Sequence, residues 1–234
     1  MIQRTWWPRL NPNAQLAKGL VFAGLGGGAS TLQYADSSPY VNHGTLTNMD
    51  PATDWVFDPT LGRWSFVLEL NQYVNGTLGA NFVGAFTVCL WMKGASATTS
   101  GFSACGNYNG TNGWLMGPRN DARFYYGAKA AAGLYYTYVD SIHSTTTWTH
   151  YAFQFIPSAG IYLYKNGVLV SSKTDSPPAS LTSSTYTFKL GNRGDWSADF
   201  VGSQADHLFF DRALSPAEIQ QLADPSNTML SGLI

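Results

Sequence analysis

Only two glutamates occur in the 234 residues, Glu69 and Glu218, and neither has an acidic residue at the alternate position. Hydrolysis of a glycosidic bond needs two carboxylates facing one groove, about 5 to 9.5 Å apart, which a strand supplies from acidic residues at i and i+2. The aspartates never fall as Asp-x-Asp; Asp195 and Asp199 share a short segment, with Asp206 and Asp211 after it. Paired-carboxylate catalysis is therefore not expected. His43, His143, His150 and His207 stand far apart and no serine sits in a Gly-x-Ser-x-Gly elbow, so nucleophilic catalysis lacks both its base and its turn. Gly24-Leu25-Gly26-Gly27-Gly28 is followed by neither Lys-Ser/Thr nor a helix start, which leaves a flexible loop rather than a phosphate cradle. No catalytic residue is assigned.

Recognition by flat rings and amides is better supplied. Trp196 stands between Asp195 and Ser197, Trp114 follows Asn112-Gly113, and tyrosines cluster at 125, 126, 135, 136 and 138. A ring can stack on a sugar while Asn and Asp read its hydroxyls. The candidate ligand residues are Trp196, Asp195, Asp199, Asn112 and Trp114, with a place in the core as the alternative for Trp114.

Charged residues make up 12% of the chain, half the usual share, while aromatics reach 15% and glycine numbers 24. That is a β-rich, turn-rich composition with a sizeable core. The 13 basic residues are scattered among 14 acidic ones, with no stripe to neutralise a row of phosphates, so nucleic acid is not an expected partner. No window of 18 apolar residues exists and the residues after Met1 lack a signal-length apolar stretch, so neither membrane insertion nor secretion by the usual route is expected. Cys89 and Cys105 are too few for a disulfide framework; buried free thiols are expected, with a bridge across a turn at 94–101 as the alternative.

The elements that must position these groups are strands. Phe86–Met92, Tyr151–Phe155 and Tyr186–Leu190 alternate with period two, each with one core face. Ile161–Lys165 and Val168–Val170 flank Asn166-Gly167, a dipeptide suited to a type I′ hairpin turn. Asn75-Gly76, Asn109-Gly110 and Asn112-Gly113 read as further turns, a reading preferred to the glycosylation sequons that the first two begin. Ser215-Pro216-Ala217-Glu218 supplies an N-cap hydroxyl, a proline at the first helical position and a reaching glutamate, predicting one short helix over 215–222. With no linker and no repeat, the fold expected is all-β, a two-sheet antiparallel sandwich with one short C-terminal helix.

Ala35-Asp36-Ser37-Ser38, Asn42-His43-Gly44-Thr45-Leu46, Phe86–Lys93, Gly113–Gly117, Trp148–Ala152, Leu163–Gly167 and Asp206–Ser215 resemble, in order, the laminin-G-like, concanavalin A-like jelly rolls. The resemblance spans roughly residues 18 to 223, leaving an N-terminal arm at 1–17 and a tail at 224–234. It departs at Cys89, often Ser in the family, and at His207, often Glu. It implies a structural Ca2+ held by an aspartate of the last strand and by main-chain oxygens of the first loops, here Asp206 and the backbone around Gly44. The alternative is that Asp36 caps its own turn and Asp206 takes hydrogen bonds.

The opening Arg4-Thr5-Trp6-Trp7 and Leu10-Asn11-Pro12-Asn13 is similar to the start of laminin-G-like proteins from tailed bacteriophages. That likeness implies a non-catalytic virion surface protein, a capsid decoration or accessory subunit made in the host cytoplasm, which also binds carbohydrate on cell surfaces. Arg4, Trp6, Trp7 and Arg9 are the expected interface, to further copies of this chain or to the phage shell protein. A free-standing carbohydrate-binding or adhesion module is the alternative, and a glycoside hydrolase the remote one.

Overall fold

Polarity alternating every second residue builds sheets, and here it builds two. The structure, a computed structural model, describes residues 15–25, 32–78, 82–94, 104–106, 113–130, 133–181, 186–193 and 199–226. The first sheet runs β14 (Val168–Lys173), β13 (Gly160–Lys165), β12 (Thr149–Ile156), β7 (Phe86–Gly94), β16 (Gly202–Phe210), β5 (Arg63–Leu68) and β4 (Trp55–Asp58), with β1 (Leu20–Gly24) beside β16. The second runs β11 (Gly133–Asp140), β10 (Arg123–Ala130), β9 (Gly113–Pro118), β8 (Ala104–Gly106), β15 (Tyr186–Leu190), β6 (Tyr73–Leu78), β3 (Gly44–Thr47) and β2 (Gln33–Tyr34). Neighbours pair antiparallel throughout, giving the expected jelly-roll sandwich.

The inner faces meet in an aromatic core. Phe22, Phe86, Phe153 and Phe209 of the first sheet interleave with Trp114, Tyr126 and Phe188 of the second, all fully buried. Ring centroids lie 4.7 Å apart for Phe22–Phe188 and 5.5 Å for Trp114–Phe209, and such pairs each add about 0.5–1.5 kcal/mol beyond burial.

The hairpin forms as its sequence predicts, with Asn166 at φ 49° and Gly167 at φ 81°. Gly167 has a second reason to lack a side chain, since a Cβ there would lie 2.9 Å from Gln220 Cα. That neighbour belongs to α1 (Pro216–Leu222), where Ser215 Oγ accepts from the Glu218 N–H and the Glu218 carboxylate accepts from the Ser215 N–H. The capping box holds a helix too short to stand alone.

Two expectations fail. β7 and β12 do not keep one core face: Thr87, Cys89, Ala152 and Gln154 point away from the core and are nonetheless buried. Ile219, Leu222 and Leu214 cover them, joined by Leu16 from a short 3-10 turn (Gln15–Ala17). Asn75-Gly76 is not a turn but the middle of β6, where a Cβ on Gly76 would lie 2.5 Å from the Phe188 ring. The glycine serves close packing, not chain reversal.

Cys89 is a free, buried thiol whose acidity burial suppresses. Its strand β7 and the strand β8 that carries Cys105 belong to opposite sheets, so the bridge between neighbouring strands falls away. No helix among the described residues is long and apolar enough to cross a membrane.

Candidate functional site

Of the residues singled out for chemistry, Trp196, Asp195 and Asn112 lie outside the described residues, as do Arg4, Trp6, Trp7 and Arg9 of the arm. Trp114 is no ligand platform: it is wholly buried against Phe86, Phe153 and Phe209, because its strand position faces the opposite sheet. Asp199 is also buried, its Oδ1 accepting from Asn192 Nδ2 at 2.6 Å. A carboxylate so engaged joins two loop ends and presents nothing to a ligand.

Asp206 sits at φ 50° in an irregularity of β16 between Ala205 and Leu208, a conformation that aspartate tolerates better than most residues. There its carboxylate meets the guanidinium of Arg63, with Trp91 and His150 alongside, on the outer side of the first sheet. Arg63 also donates to Pro225 O at 2.9 Å, fastening the chain beyond α1. Burial pushes the Asp206 carboxyl above the ordinary range and Arg63 opposes that shift. Burial and the nearby Arg63 together hold His150 down at about 3, hence neutral.

The calcium expectation meets the same facts. A hard cation wants six to eight oxygens, but a guanidinium in direct contact with Asp206 repels one. Asp36 is spent as well: its two oxygens accept from Ala23 N, Ser38 N, Ser38 Oγ and Asn42 N at 2.6 to 2.8 Å. Gly44 lies in β3 of the second sheet, packed on Val74 and Tyr34. Among the described residues no three of His, Cys, Asp and Glu come together as a metal group. These residues do not fit the ion.

His207, which replaces the family's usual Glu, faces inward and stacks on Phe66 at 5.1 Å and 3°. Tyr34 donates its hydroxyl proton to Gly24 O, so it must accept from His207 Nδ1–H at 2.9 Å. Burial holds the ring neutral, with its acidity at about 3. The other ring nitrogen, Nε2, lies 2.9 Å from the Gln204 side-chain amide. The network stitches the sheets together and offers no group to solvent.

The open chemistry lies on the outer face of the second sheet. Thr45 of β3, Asn75 and Thr77 of β6, and Thr187 and Lys189 of β15 fall at outward positions, and the register sets Asn75 directly beside Thr45 and Lys189. With the loop Val41-Asn42-His43 as one wall they line an open cleft of about 580 Å³. The buried Asp36 carboxylate builds that wall from behind, and Asn42 Nδ2 donates to Val21 O at 2.8 Å. His43 Nδ1 accepts from Asp36 N at 3.0 Å, which leaves Nε2 to carry the ring proton. Lys189 Nζ lies 4.6 Å from the centre of the Tyr73 ring. Among the described residues no carboxylate lines this cleft.

Farther along the same face, alternation divides the tyrosines. Tyr126 and Tyr135 are buried, the first in the core and the second donating to Lys173 O, while Tyr136 and Tyr138 are exposed beside Tyr125. Arg119 lies over Tyr125 at 4.7 Å and Arg123 over Tyr138 at 4.3 Å. Sequence reasoning found this shelf but missed the cleft, whose residues are short, polar and unremarkable one by one. The usable signal was Asn42-His43-Gly44, whose His43 lines the wall.

A family model for the concanavalin A-like lectin/glucanases superfamily matches residues 68–220, about two thirds of the sequence. The chain belongs to that superfamily. No curated protein matches it. Solved structures share the fold: domain 4 of AbnA, a GH43 extracellular arabinanase from Geobacillus stearothermophilus, in complex with arabinotriose, is 21% identical at TM-score 0.69, over 88% of this chain and 98% of that one. The binding domain of Paraclostridial Mosquitocidal Protein 1 is 18% identical at TM-score 0.66, over 91% of this chain and 53% of its own. The botulinum neurotoxin serotype D ligand binding domain, in complex with N-acetylneuraminic acid, is 15% identical at 0.65, over 88% and 50%. The chain thus spans about half the length of the latter two chains.

Proposed function

We propose that this superfamily member is a non-catalytic glycan-binding jelly roll whose ligand lies on the outer face of the second sheet. The cleft carries the reading: hydroxyl, amide and imidazole groups converge beside an aromatic ring, with no carboxylate among the described lining residues to act as acid, base or nucleophile. Such a surface can read sugar hydroxyls and has nothing with which to cleave the bond between them. Two neighbours in complex with sugars agree with this reading. A glycan array followed by titration tests it: binding without release of reducing ends supports it, and hydrolysis or no binding to any glycan ends it.

The place we assign the protein is the surface of a bacteriophage virion, as a decoration or accessory subunit. That assignment rests on the likeness of the opening residues, with Trp6 and Trp7 flanked by Arg4 and Arg9, residue types that interface hot spots favour. A chain lacking residues 2–13 should fold and bind glycan but no longer self-associate or join particles. Normal assembly of the truncated chain would leave a free-standing carbohydrate-binding module as the better description.

A further inference from the structure

The cleft has a sign as well as a shape. Among the described residues Lys189, on β15, is the single formally charged one lining it, and its ammonium rests over the Tyr73 ring with no carboxylate partner among them. Across the ladder it faces Asn75, with Thr45 beyond, on one side and Cys105 on the other, none of them a carboxylate. Farther along the face, Asp121 and Asp140 both face Arg123, at 3.8 and 3.1 Å, and Asp121 also accepts from the Tyr125 hydroxyl. Their charge is spent locally, Asp121 facing Arg119 as well as Arg123, while Lys129 of β10 adds positive charge to the same face. Uncompensated cations on a binding surface favour and steer partners of opposite sign.

We infer that the glycan is anionic, with a carboxylate or sulfate group paired to Lys189 and its neutral hydroxyls met by Asn75, Thr45 and His43. A cation already seated over a ring suits this role, because Lys189 is held in place before the ligand arrives. This inference rests on the glycan-binding reading above and adds the charge class of the ligand.

The full chain is titrated with polygalacturonate and polysialic acid as carboxylated polymers, heparin as a sulfated one, and arabinan and dextran as neutral ones. The expected result is at least about tenfold tighter binding of an anionic class than of the neutral polymers, weakening as salt screens the pair. Which anionic polymers bind decides between carboxylate and sulfate. Lys189→Gln, on a partly exposed side chain, should lower that affinity about tenfold without shifting the unfolding midpoint. Equal affinity for neutral and anionic polymers, unmoved by Lys189→Gln and by salt, overturns the charge assignment and leaves glycan binding standing. No binding by any polymer overturns both.

Discussion

The outer faces of the two sheets begin from the same alternating strands and end as opposites. On the first, outward residues are apolar, aromatic or committed: Cys89, Ala152, Tyr164 and Phe210 lie beneath α1, while Thr87 and Gln154 hydrogen-bond the main chain leading into it. On the second, outward residues are Thr45, Asn75, Thr77 and Thr187, and nothing among the described residues covers them. The buried charges of Arg63 and Asp206 on the first face pair with each other, whereas Lys189 on the second has an aromatic ring and solvent. A sheet face is thus assigned to stability or to recognition by what its alternate residues can satisfy internally.

The comparison breaks most visibly at Arg63. Removing one member of a buried ion pair costs about 3–5 kcal/mol, so Arg63→Met should lower the urea midpoint strongly while leaving glycan affinity of the folded fraction unchanged. A variant with wild-type stability would mean that the Asp206 pair is not buried in solution. Smaller, about 1 kcal/mol at neutral pH, is the loss expected for Glu218→Gln at the cap. The Arg212 guanidinium, ahead of the Ser215 bonds, holds the Glu218 carboxyl down at about 2 from an ordinary 4.5. A depressed acid contributes stability above its unfolded value and loses it as pH falls toward the folded one. The gap between wild type and variant should therefore close between about pH 4.5 and 2; a gap that persists at the lower end contradicts the ion-pair account. Smallest is the effect of calcium chelator, expected to leave the melting temperature unchanged since Arg63 occupies Asp206. A fall abolished by Asp206→Asn would restore the metal.

The sequence carried the sealed face only in part. Period two in Phe86–Met92 located the strand, but Cys89 is covered by a helix more than 120 residues later and Trp91 by Leu61, Trp148 and Ala205, none of which local pattern encodes. The capping box was legible because all its partners lie within four residues of one another. Asp206 took a ligand role from the family resemblance, and nothing local countered it because its partner Arg63 stands 143 positions away. Asn75-Gly76 misled for the reverse reason: the dipeptide is a strong local turn signal, overruled by the Phe188 ring from a neighbouring strand. The cleft was least legible, since single threonines and asparagines say nothing until sheet register sets Thr45, Asn75 and Lys189 side by side.

The central claim is that the open face, and not the sealed one, binds glycan, and Asn75 stands at its middle. Isothermal titration of wild type and Asn75→Ala with the best polymer from the array, alongside urea unfolding of both, tests it directly. The account predicts about tenfold weaker binding by the variant with an unfolding midpoint within about 0.5 kcal/mol of wild type. Undiminished affinity in a folded Asn75→Ala protein would contradict it and move the ligand elsewhere on the molecule.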